Sequence, residues 1–410
     1  MRSWPYPYLP PISSTSDHPP LKLYDSYSKS PVTFVEKELS MYVCGITPYD
    51  ATHLGHAATY ITFDLIHRYL LAAGHHVSFV ENITDIDDPL FERAKRDSID
   101  WHELATSQID LFVSDMTELR VIPPIRYMGV IESMPTIIDA VHKLVNKGLT
   151  YAIDGDIYLD LSQVEGALTN LPLSLTEAEA VFAERGGDPD RPGKRHSLDP
   201  LLWKAELPDE PSWTTPFGEG RPGWHIECVA IALANLPPMG SSSISIQGGG
   251  SDLKFPHHYM SACQSKALTG KEFSRSFIHA GMIGLDGEKM SKSLGNLVFV
   301  SKLIDAGRSP NAIRFALLAR HYREDLMWSD EFLKEAELEL ERLTIALSKE
   351  EVAPTSEVIT GMISALSNDL DTPRILLMLR DWVERTLNGD LGGESGELSR
   401  ALDRYLGIAL

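Results

Sequence analysis

The sequence predicts an α/β protein in which a parallel sheet carries an inserted α+β subdomain and is followed by a C-terminal helical domain. Three stretches indicate this arrangement. Residues 41–84 read as strand, helix and strand, residues 135–161 as a helix followed by a hairpin, and the chain beyond residue 330 as helices alone. A strand–helix–strand unit joins parallel strands, and a helix with a hairpin between two such units is typical of an insertion.

The first unit begins with a buried strand at 41–44 and a turn at 45–48. The helix after it is indicated by apolar residues at helical spacing, with Gly74 just past its end. These residues are Ile61, Leu65, Ile66, Tyr69 and Leu70. Residues 76–84 form the next strand. The polar loop after the first strand then lies at the carboxyl edge of the sheet, where nucleotides bind in such folds.

The insertion is predicted from helices at 101–120 and 135–147 and from the dipeptide Asp154-Gly155. Asp-Gly between two short apolar runs is a strong signal for a two-residue hairpin turn. The predicted hairpin joins residues 150–153 to 156–161.

The rest of the chain is punctuated by Gly and Pro. Residues 184–224 are rich in Gly, Pro and charge and are predicted to be mostly loop. A strand at 243–247 precedes a Gly triplet at 248–250. In the C-terminal part, Thr372 is the predicted N-cap of a helix, with Pro373 at its first position.

These elements divide the chain into six parts. They are an extended N-terminal arm at 1–35, the first half of the catalytic domain at 36–120, the inserted subdomain at 121–200, the second half at 201–285, a loop and linker at 286–330, and the helical domain at 331–410.

Composition indicates a globular cytoplasmic protein. The 410 residues are 43% hydrophobic, carry a formal net charge of −21 and contain three cysteines. Membrane-spanning runs and signal peptides are not evident. The acidic balance disfavours nucleic acid as a partner, because nucleic-acid affinity comes largely from Lys and Arg. Three thiols do not make a disulfide framework, and each alone reads as a small buried hydrophobe.

Two short motifs carry candidate chemistry. His53-Leu54-Gly55-His56 precedes a helix, whose N-terminus attracts phosphate. Lys289 and Lys292 lie in Lys-Met-Ser-Lys-Ser between two glycines, where they can stabilise charge on a leaving pyrophosphate. Each motif alone also reads as an ordinary surface loop.

Together and in this order, the motifs resemble the paired signature of class I aminoacyl-tRNA synthetases. The resemblance implies a class I synthetase-type Rossmann nucleotide-binding domain that uses ATP, with Mg²⁺, to activate an amino acid. It implies that His53, His56, Lys289 and Lys292 act on the phosphates.

Residues 41–47, 53–66, 82–89, 221–228 and 248–258 are similar to the cysteinyl-tRNA synthetase group in particular. The resemblance implies one Zn²⁺ per chain, held by Cys44, Cys228 and His257, which selects the substrate L-cysteine through its thiolate. These three residues lie far apart in the sequence, so their spacing alone does not decide whether they bind a metal. Ser261 stands where that group has a fourth, acidic ligand, so three protein ligands are predicted. Cys263 matches no ligand and is predicted to be structural.

Three further stretches resemble the mycothiol-pathway cysteine ligases within this group: 44–57, 246–250 with Gln247, and 184–189. Those enzymes join cysteine to the amine of glucosaminyl-inositol. The resemblance implies that one set of residues contacts the cysteinyl adenylate. The set is Cys44, Gly45, Ile46, Thr47, Thr59, Asn82, Ile83, Thr84, Trp224, Gly250, Ser251, Asp252 and Ile283.

Two alternatives remain. A cysteinyl-tRNA synthetase shares the first half-reaction, but residues 331–410 carry 8 Lys and Arg against 16 Asp and Glu, unlike a domain that grips RNA. A non-catalytic zinc-binding regulator needs no pyrophosphate-handling lysines. The prediction is therefore a ligase without tRNA as partner, away from membranes and monomeric.

Overall fold

The computed structural model describes residues 1–12, 17–50, 52–285, 287–290 and 295–410. Lys292 lies outside the described residues, and Lys289 is described in its backbone alone. Within the described part, no helix combines the length and apolar character needed to cross a bilayer.

The N-terminal segment contains a hairpin of β1 (Leu21–Asp25) and β2 (Ser30–Phe34). Leu21, Leu23 and Phe34 are buried, and Trp4 also joins the main core. The prediction of an extended arm over residues 1–35 is therefore wrong for the part that forms this hairpin. Apolar residues alternate in β1 and bury one face of the strand. This alternation spans too few residues to predict a strand next to the Pro-rich start of the chain.

The first half of the catalytic domain follows as β3 (Glu38–Val43), α1 (Leu54–Ala72), β4 (His76–Ile83), α2 (Asp88–Asp97), α3 (Trp101–Glu118) and β5 (Arg126–Gly129). The strands β3, β4 and β5 are parallel. The predicted strand–helix–strand unit is confirmed. Gly74 follows the C-cap of α1 at φ +78°, the left-handed conformation that glycine adopts without steric cost.

The insertion consists of α4 (Val130–Asn146), β6 (Thr150–Ile153), β7 (Asp156–Leu159), α5 (Leu175–Glu184), β8 (Leu201–Ala205), β9 (Trp213–Thr215) and β10 (Gly218–Pro222). Its antiparallel sheet has the order β6-β7-β8-β10-β9. The predicted turn is confirmed, because Asp154 and Gly155 both have positive φ, as the hairpin requires.

The segment 184–224 is mostly loop, as predicted, but it also contains three strands. The antiparallel sheet of the insertion continues to Pro222, beyond the boundary predicted at residue 200. β10 has the sequence Gly-Glu-Gly-Arg-Pro, which has low strand propensity. Pairing with β8 and β9 therefore decides its conformation, which local sequence cannot reveal.

The second half supplies α6 (Trp224–Asn235), β11 (Ser242–Gly250), α7 (Tyr259–Thr269) and β12 (Glu272–Ala280). They complete a five-stranded parallel sheet of order β12-β11-β3-β4-β5. β11 runs through the Gly triplet because α1 packs closely there. A Cβ on Gly248 would lie 2.3 Å from the ring of Phe63.

After the sheet come β13 (Ile283–Leu285), β14 (Glu288–Lys289), α8 (Val300–Asp305), α9 (Pro310–Leu317) and β15 (Leu326–Trp328). The helical domain contains α10 (Asp330–Leu347), α11 (Ser356–Ser367), α12 (Thr372–Leu387), α13 (Ser395–Ala401) and a terminal turn at Leu402–Leu406. Thr372 is the first residue of α12 rather than its N-cap. Asp371 caps the helix because its carboxylate accepts a hydrogen bond from the backbone N–H of Arg374 at 3.2 Å.

A buried ion cluster joins the helical domain to the catalytic domain. Asp64 on α1 pairs with Arg68 at 2.6 Å and with Arg314 on α9. Arg68 donates to the carbonyl of Asp403 at 2.8 Å, and Arg314 donates to that of Leu406 at 2.5 Å. The terminal turn is thereby fixed to α1.

Candidate active site

The candidate site lies at the carboxyl edge of the parallel sheet. Cys44 follows β3, residues 82–84 lie at the end of β4, and residues 250–252 lie at the glycine-rich end of β11. Because β3, β4 and β11 are neighbouring parallel strands, their carboxyl ends meet at one edge, as the sequence predicts.

Three potential metal ligands converge at this edge. One ligand atom each from Cys44, Cys228 and His257 lies within 4.8 Å of the others, and all three residues are buried. The two Sγ atoms are 3.9 Å apart. Nε2 of His257 has no hydrogen-bond partner among the described residues. A buried imidazole nitrogen without a partner beside two thiols is a donor set that suits Zn²⁺.

The two thiols differ in acidity. The hydrogen bond from Cys44 lowers the pKa of the Cys228 thiol well below its usual value, whereas burial raises the pKa of Cys44. Cys228 is therefore the thiolate of the pair. One anionic and one neutral sulfur beside the imidazole of His257 form a site that favours a cation.

A second set of side chains surrounds the cluster. Gln247 Nε2 donates to Cys44 Sγ at 3.3 Å and lies 3.0 Å from Nε2 of His258. His258 Nδ1 lies 2.8 Å from Nε2 of His279, and His225 Nδ1 lies 3.0 Å from Nδ1 of His257. Sequence reasoning missed His225 and His279. His225 lies three residues before Cys228 in the sequence, which does not reveal a role, and His279 is not near any predicted metal ligand in the sequence.

Two residues near the cluster bear on the ligand count. Cys263 is buried, its pKa is raised to about 12 by burial, and it does not belong to the metal-ligand group. Its structural role is consistent with this placement. Ser261 lies on α7, four residues after His257, with a buried hydroxyl that lacks a partner within the described structure. That it is not a ligand stays a prediction.

Hydrogen bonds connect the predicted adenylate contacts at the ends of β3 and β4. Asn82 Oδ1 accepts from the backbone N–H of Gly45 at 3.0 Å and from Tyr42 at 2.9 Å, and Asn82 Nδ2 donates to Thr84 at 3.2 Å. A Cβ on Gly45 would lie 1.5 Å from the Asn82 carbonyl oxygen, so only glycine fits. These hydrogen bonds join the two segments into one floor.

The two motif histidines stand at the start of α1. Their rings stack with centroids 3.7 Å apart, and His53 caps the helix by accepting from the Gly55 N–H at 3.1 Å. Burial lowers the pKa of His53 to about 4 and that of His56 well below its usual value. Both imidazoles are therefore neutral at pH 7, each with one N–H to donate.

The remaining predicted contacts lie around this floor. The Trp224 ring stacks on His257 with centroids 4.2 Å apart, and Ile283 is buried at the start of β13. Thr59 Oγ1 lies 3.8 Å from the Cβ position of Gly250. Asp252 pairs with Arg185 at 3.5 Å, so the 184–189 loop extends to the site.

Comparison with known proteins identifies the family of this chain. Residues 31–338 match the family model of the class I (C) tRNA synthetase catalytic domain. The chain is also 50% identical, over the full length of both proteins, to L-cysteine:1D-myo-inositol 2-amino-2-deoxy-alpha-D-glucopyranoside ligase 2 of Corynebacterium jeikeium. The chain belongs to this ligase family. The corresponding ligase of Nakamurella multipartita is likewise 50% identical over both full lengths.

Solved structures confirm the fold of the family. Mycobacterium tuberculosis methionyl-tRNA synthetase superposes with a TM-score of 0.60 at 17% identity, covering 91% of this chain and 89% of the other. Leucyl-tRNA synthetase of Agrobacterium radiobacter gives 0.61 at 12% identity, covering 91% and 84%. The class I synthetase-type Rossmann fold predicted from the two motifs is thereby confirmed.

Proposed function

We propose that this chain is the cysteine ligase of the mycothiol pathway. A carboxylate oxygen of L-cysteine attacks the α-phosphate of ATP, which forms cysteinyl adenylate and releases pyrophosphate. The amine nitrogen of glucosaminyl-inositol then attacks the activated carbonyl carbon. The bond from that carbon to the phosphate oxygen breaks, AMP leaves, and the amine gives up its proton.

The observation that carries the proposal is the buried group of Cys44, Cys228 and His257 beside the floor formed by residues 44–47 and 82–84. These three residues would hold Zn²⁺. When bound, zinc would supply a soft site for the substrate thiolate, which serine cannot match because its hydroxyl stays protonated. The shape of a binding pocket alone discriminates poorly between cysteine and serine, because their side chains are similar in size.

The chain's own residues hold the adenylate and its phosphates in this proposal. The neutral imidazoles of His53 and His56 donate to phosphate oxygens at the N-terminus of α1. Lys289 and Lys292 stabilise the departing pyrophosphate, with Mg²⁺ accompanying ATP. The contacts to cysteinyl adenylate come from residues 44–47, 82–84 and 250–252 together with Thr59, Trp224 and Ile283.

A cysteinyl-tRNA synthetase is the second candidate, favoured by the match of residues 31–338 to the class I (C) tRNA synthetase catalytic domain. Two observations favour the ligase over it. The full-length relatives at 50% identity carry the ligase name. The helical domain has twice as many acidic as basic residues, whereas a domain that binds RNA presents a basic face.

The test is an acceptor assay with purified protein. Cysteine-dependent ATP–pyrophosphate exchange without any acceptor establishes the first step, with serine as the matched control substrate. AMP release is then measured with glucosaminyl-inositol or tRNA offered in turn. We expect release with the amino-sugar alone, and release with tRNA alone would transfer the assignment to the second candidate.

A further inference from the structure

A cavity of about 430 Å³ opens beside the segment that follows Thr47. Its floor is Tyr49 and Asp50, one wall is α2, and the other wall is the segment 295–302. This volume falls within the range of about 300–1,000 Å³ typical of small-molecule sites. None of its residues belongs to the adenylate contacts predicted from sequence.

Both walls are attached to the candidate active site. Asp87 caps the N-terminus of α2, and its carboxylate lies 3.5 Å from the hydroxyl of Thr47. On the other side, His53 forms a β-bridge with Phe299, which lines the cavity. Through α2 and Phe299 the cavity is therefore connected to Thr47 and His53 of the candidate active site.

Both arginines of the cavity are paired with carboxylates. Arg93 donates to the Tyr49 carbonyl at 2.5 Å and pairs with both Asp50 and Asp97. Arg96 also pairs with Asp97, at 2.8 Å. The lining carries Arg93, Arg96 and Lys302 against Asp50 and Glu92, and the carboxylate of Asp97 pairs with both arginines, so the cavity offers little of the net positive charge that a polyphosphate or an RNA backbone requires.

Paired charges and aromatic rings suit a different ligand. Carboxylates such as Glu92 accept hydrogen bonds from hydroxyl groups, while guanidinium and ammonium groups such as Arg96 and Lys302 donate to them. Tyr49 and Phe299 provide flat apolar surfaces for the C–H faces of a ring, and the Lys302 ammonium lies 5.0 Å from the centre of the Phe299 ring. Such a lining recognises an uncharged polyhydroxylated molecule.

We infer that this cavity is the acceptor subsite, which binds the hydroxyl-rich sugar–inositol body of the acceptor and directs its amine to the activated carbonyl. The inference rests on the proposed function. It assigns Glu92, Arg96 and Lys302 as acceptor-binding residues that take no part in the formation of the adenylate.

The test compares Glu92→Ala and Arg96→Ala with Lys95→Ala, an exposed residue of α2 that does not line the cavity. We expect the KM for glucosaminyl-inositol to rise about 10-fold or more in the two cavity variants, the usual loss for a hydrogen bond to a charged group. Cysteine-dependent pyrophosphate exchange should stay within about twofold of the parent, and Lys95→Ala should match the parent in both assays.

A direct binding measurement accompanies the kinetics. Glucosaminyl-inositol is titrated into protein saturated with a non-reactive sulfamoyl analogue of cysteinyl adenylate, and its affinity should fall in parallel with the rise in KM. An unchanged KM and affinity in both cavity variants would overturn the inference, as would equal losses of exchange and acceptor use. Failure of the parent protein to use the amino-sugar at all would instead overturn the proposed function.

Discussion

At the scale of single residues, the candidate site depends on side chains that are buried and lack hydrogen-bond partners. His257 Nε2 and both carboxylate oxygens of Glu81 have none within the described chain. Such groups are costly unless something outside the protein fulfils their bonding capacity or they stay uncharged. We propose that His257 Nε2 binds a metal ion and that the carboxyl group of Glu81 is protonated.

Replacing any one metal ligand should remove zinc. We expect about one zinc per chain in the parent and much less in Cys44→Ala, Cys228→Ala and His257→Ala, because two ligands hold the ion poorly. Metal content of the purified proteins is the readout, independent of activity. Cys263→Ala is the matched control and should keep its zinc, as should Ser261→Ala. Stoichiometric zinc in all three ligand variants would refute the assignment.

Glu81 should make stability depend on pH. Burial raises the pKa of Glu81 well above its usual value, so the folded state favours the protonated form. The contribution of protonated Glu81 to the stability of the fold is fully present below its pKa in the unfolded chain, about 4.3. This contribution is lost as pH rises through the pKa of Glu81 in the folded protein. Glu81→Gln should therefore raise Tm at pH 8 and change it little at pH 4.

Thermal unfolding at the two pH values measures this difference, with zinc in excess throughout. The exposed Glu38→Gln on the neighbouring strand is the control and should leave Tm unchanged at both pH values. An equal effect of Glu81→Gln at pH 8 and pH 4 would show that titration of Glu81 is not the cause.

At the scale of elements, sequence patterns identified the parts of the fold whose signals are local. The helix α1, strand β4 and the Asp154-Gly155 turn follow from periodicity and turn chemistry. β10 does not, because pairing with its neighbours decides its conformation. The same contrast holds in the site. Cys44, Cys228 and His257 were identified through family resemblance, whereas packing alone determines the contacts of His225 and His279.

The segment after β13 should act in the first half-reaction. Lys289→Ala or Lys292→Ala is expected to slow cysteine-dependent pyrophosphate exchange by about 10²–10³-fold, the scale for loss of one group that stabilises transition-state charge. Lys349→Ala, at an exposed position just after α10, is the control. Normal pyrophosphate exchange in both motif variants would show that this segment is an ordinary surface loop without a role in the reaction.

At the scale of the whole molecule, the acidic helical domain is held to the catalytic domain by the buried cluster of Asp64, Arg68 and Arg314. Both arginines also donate to carbonyls of the terminal turn. The predicted monomeric state and the cytoplasmic location stay predictions.

Loss of one arginine from this cluster should destabilise the protein. Arg314→Ala is expected to lower the free energy of unfolding by about 3–5 kcal/mol, the typical cost of removing one partner from a buried ion pair. Chemical denaturation measures it, with exposed Arg374→Ala as the control. If the two variants have the same stability, the cluster does not hold the domains together.

The acceptor tests the central claim most directly. Protein, cysteine and ATP are incubated with glucosaminyl-inositol and tRNA in one reaction at 50 and at 200 mM salt (about 14 and 7 Å of electrostatic screening), and both products are measured by mass spectrometry. A small polyol binds with little salt dependence, whereas tRNA binding weakens steeply as salt rises. We predict the cysteinyl amide of the amino-sugar at both salt concentrations and no cysteinyl-tRNA at either. Cysteinyl-tRNA without the amide would contradict the assignment.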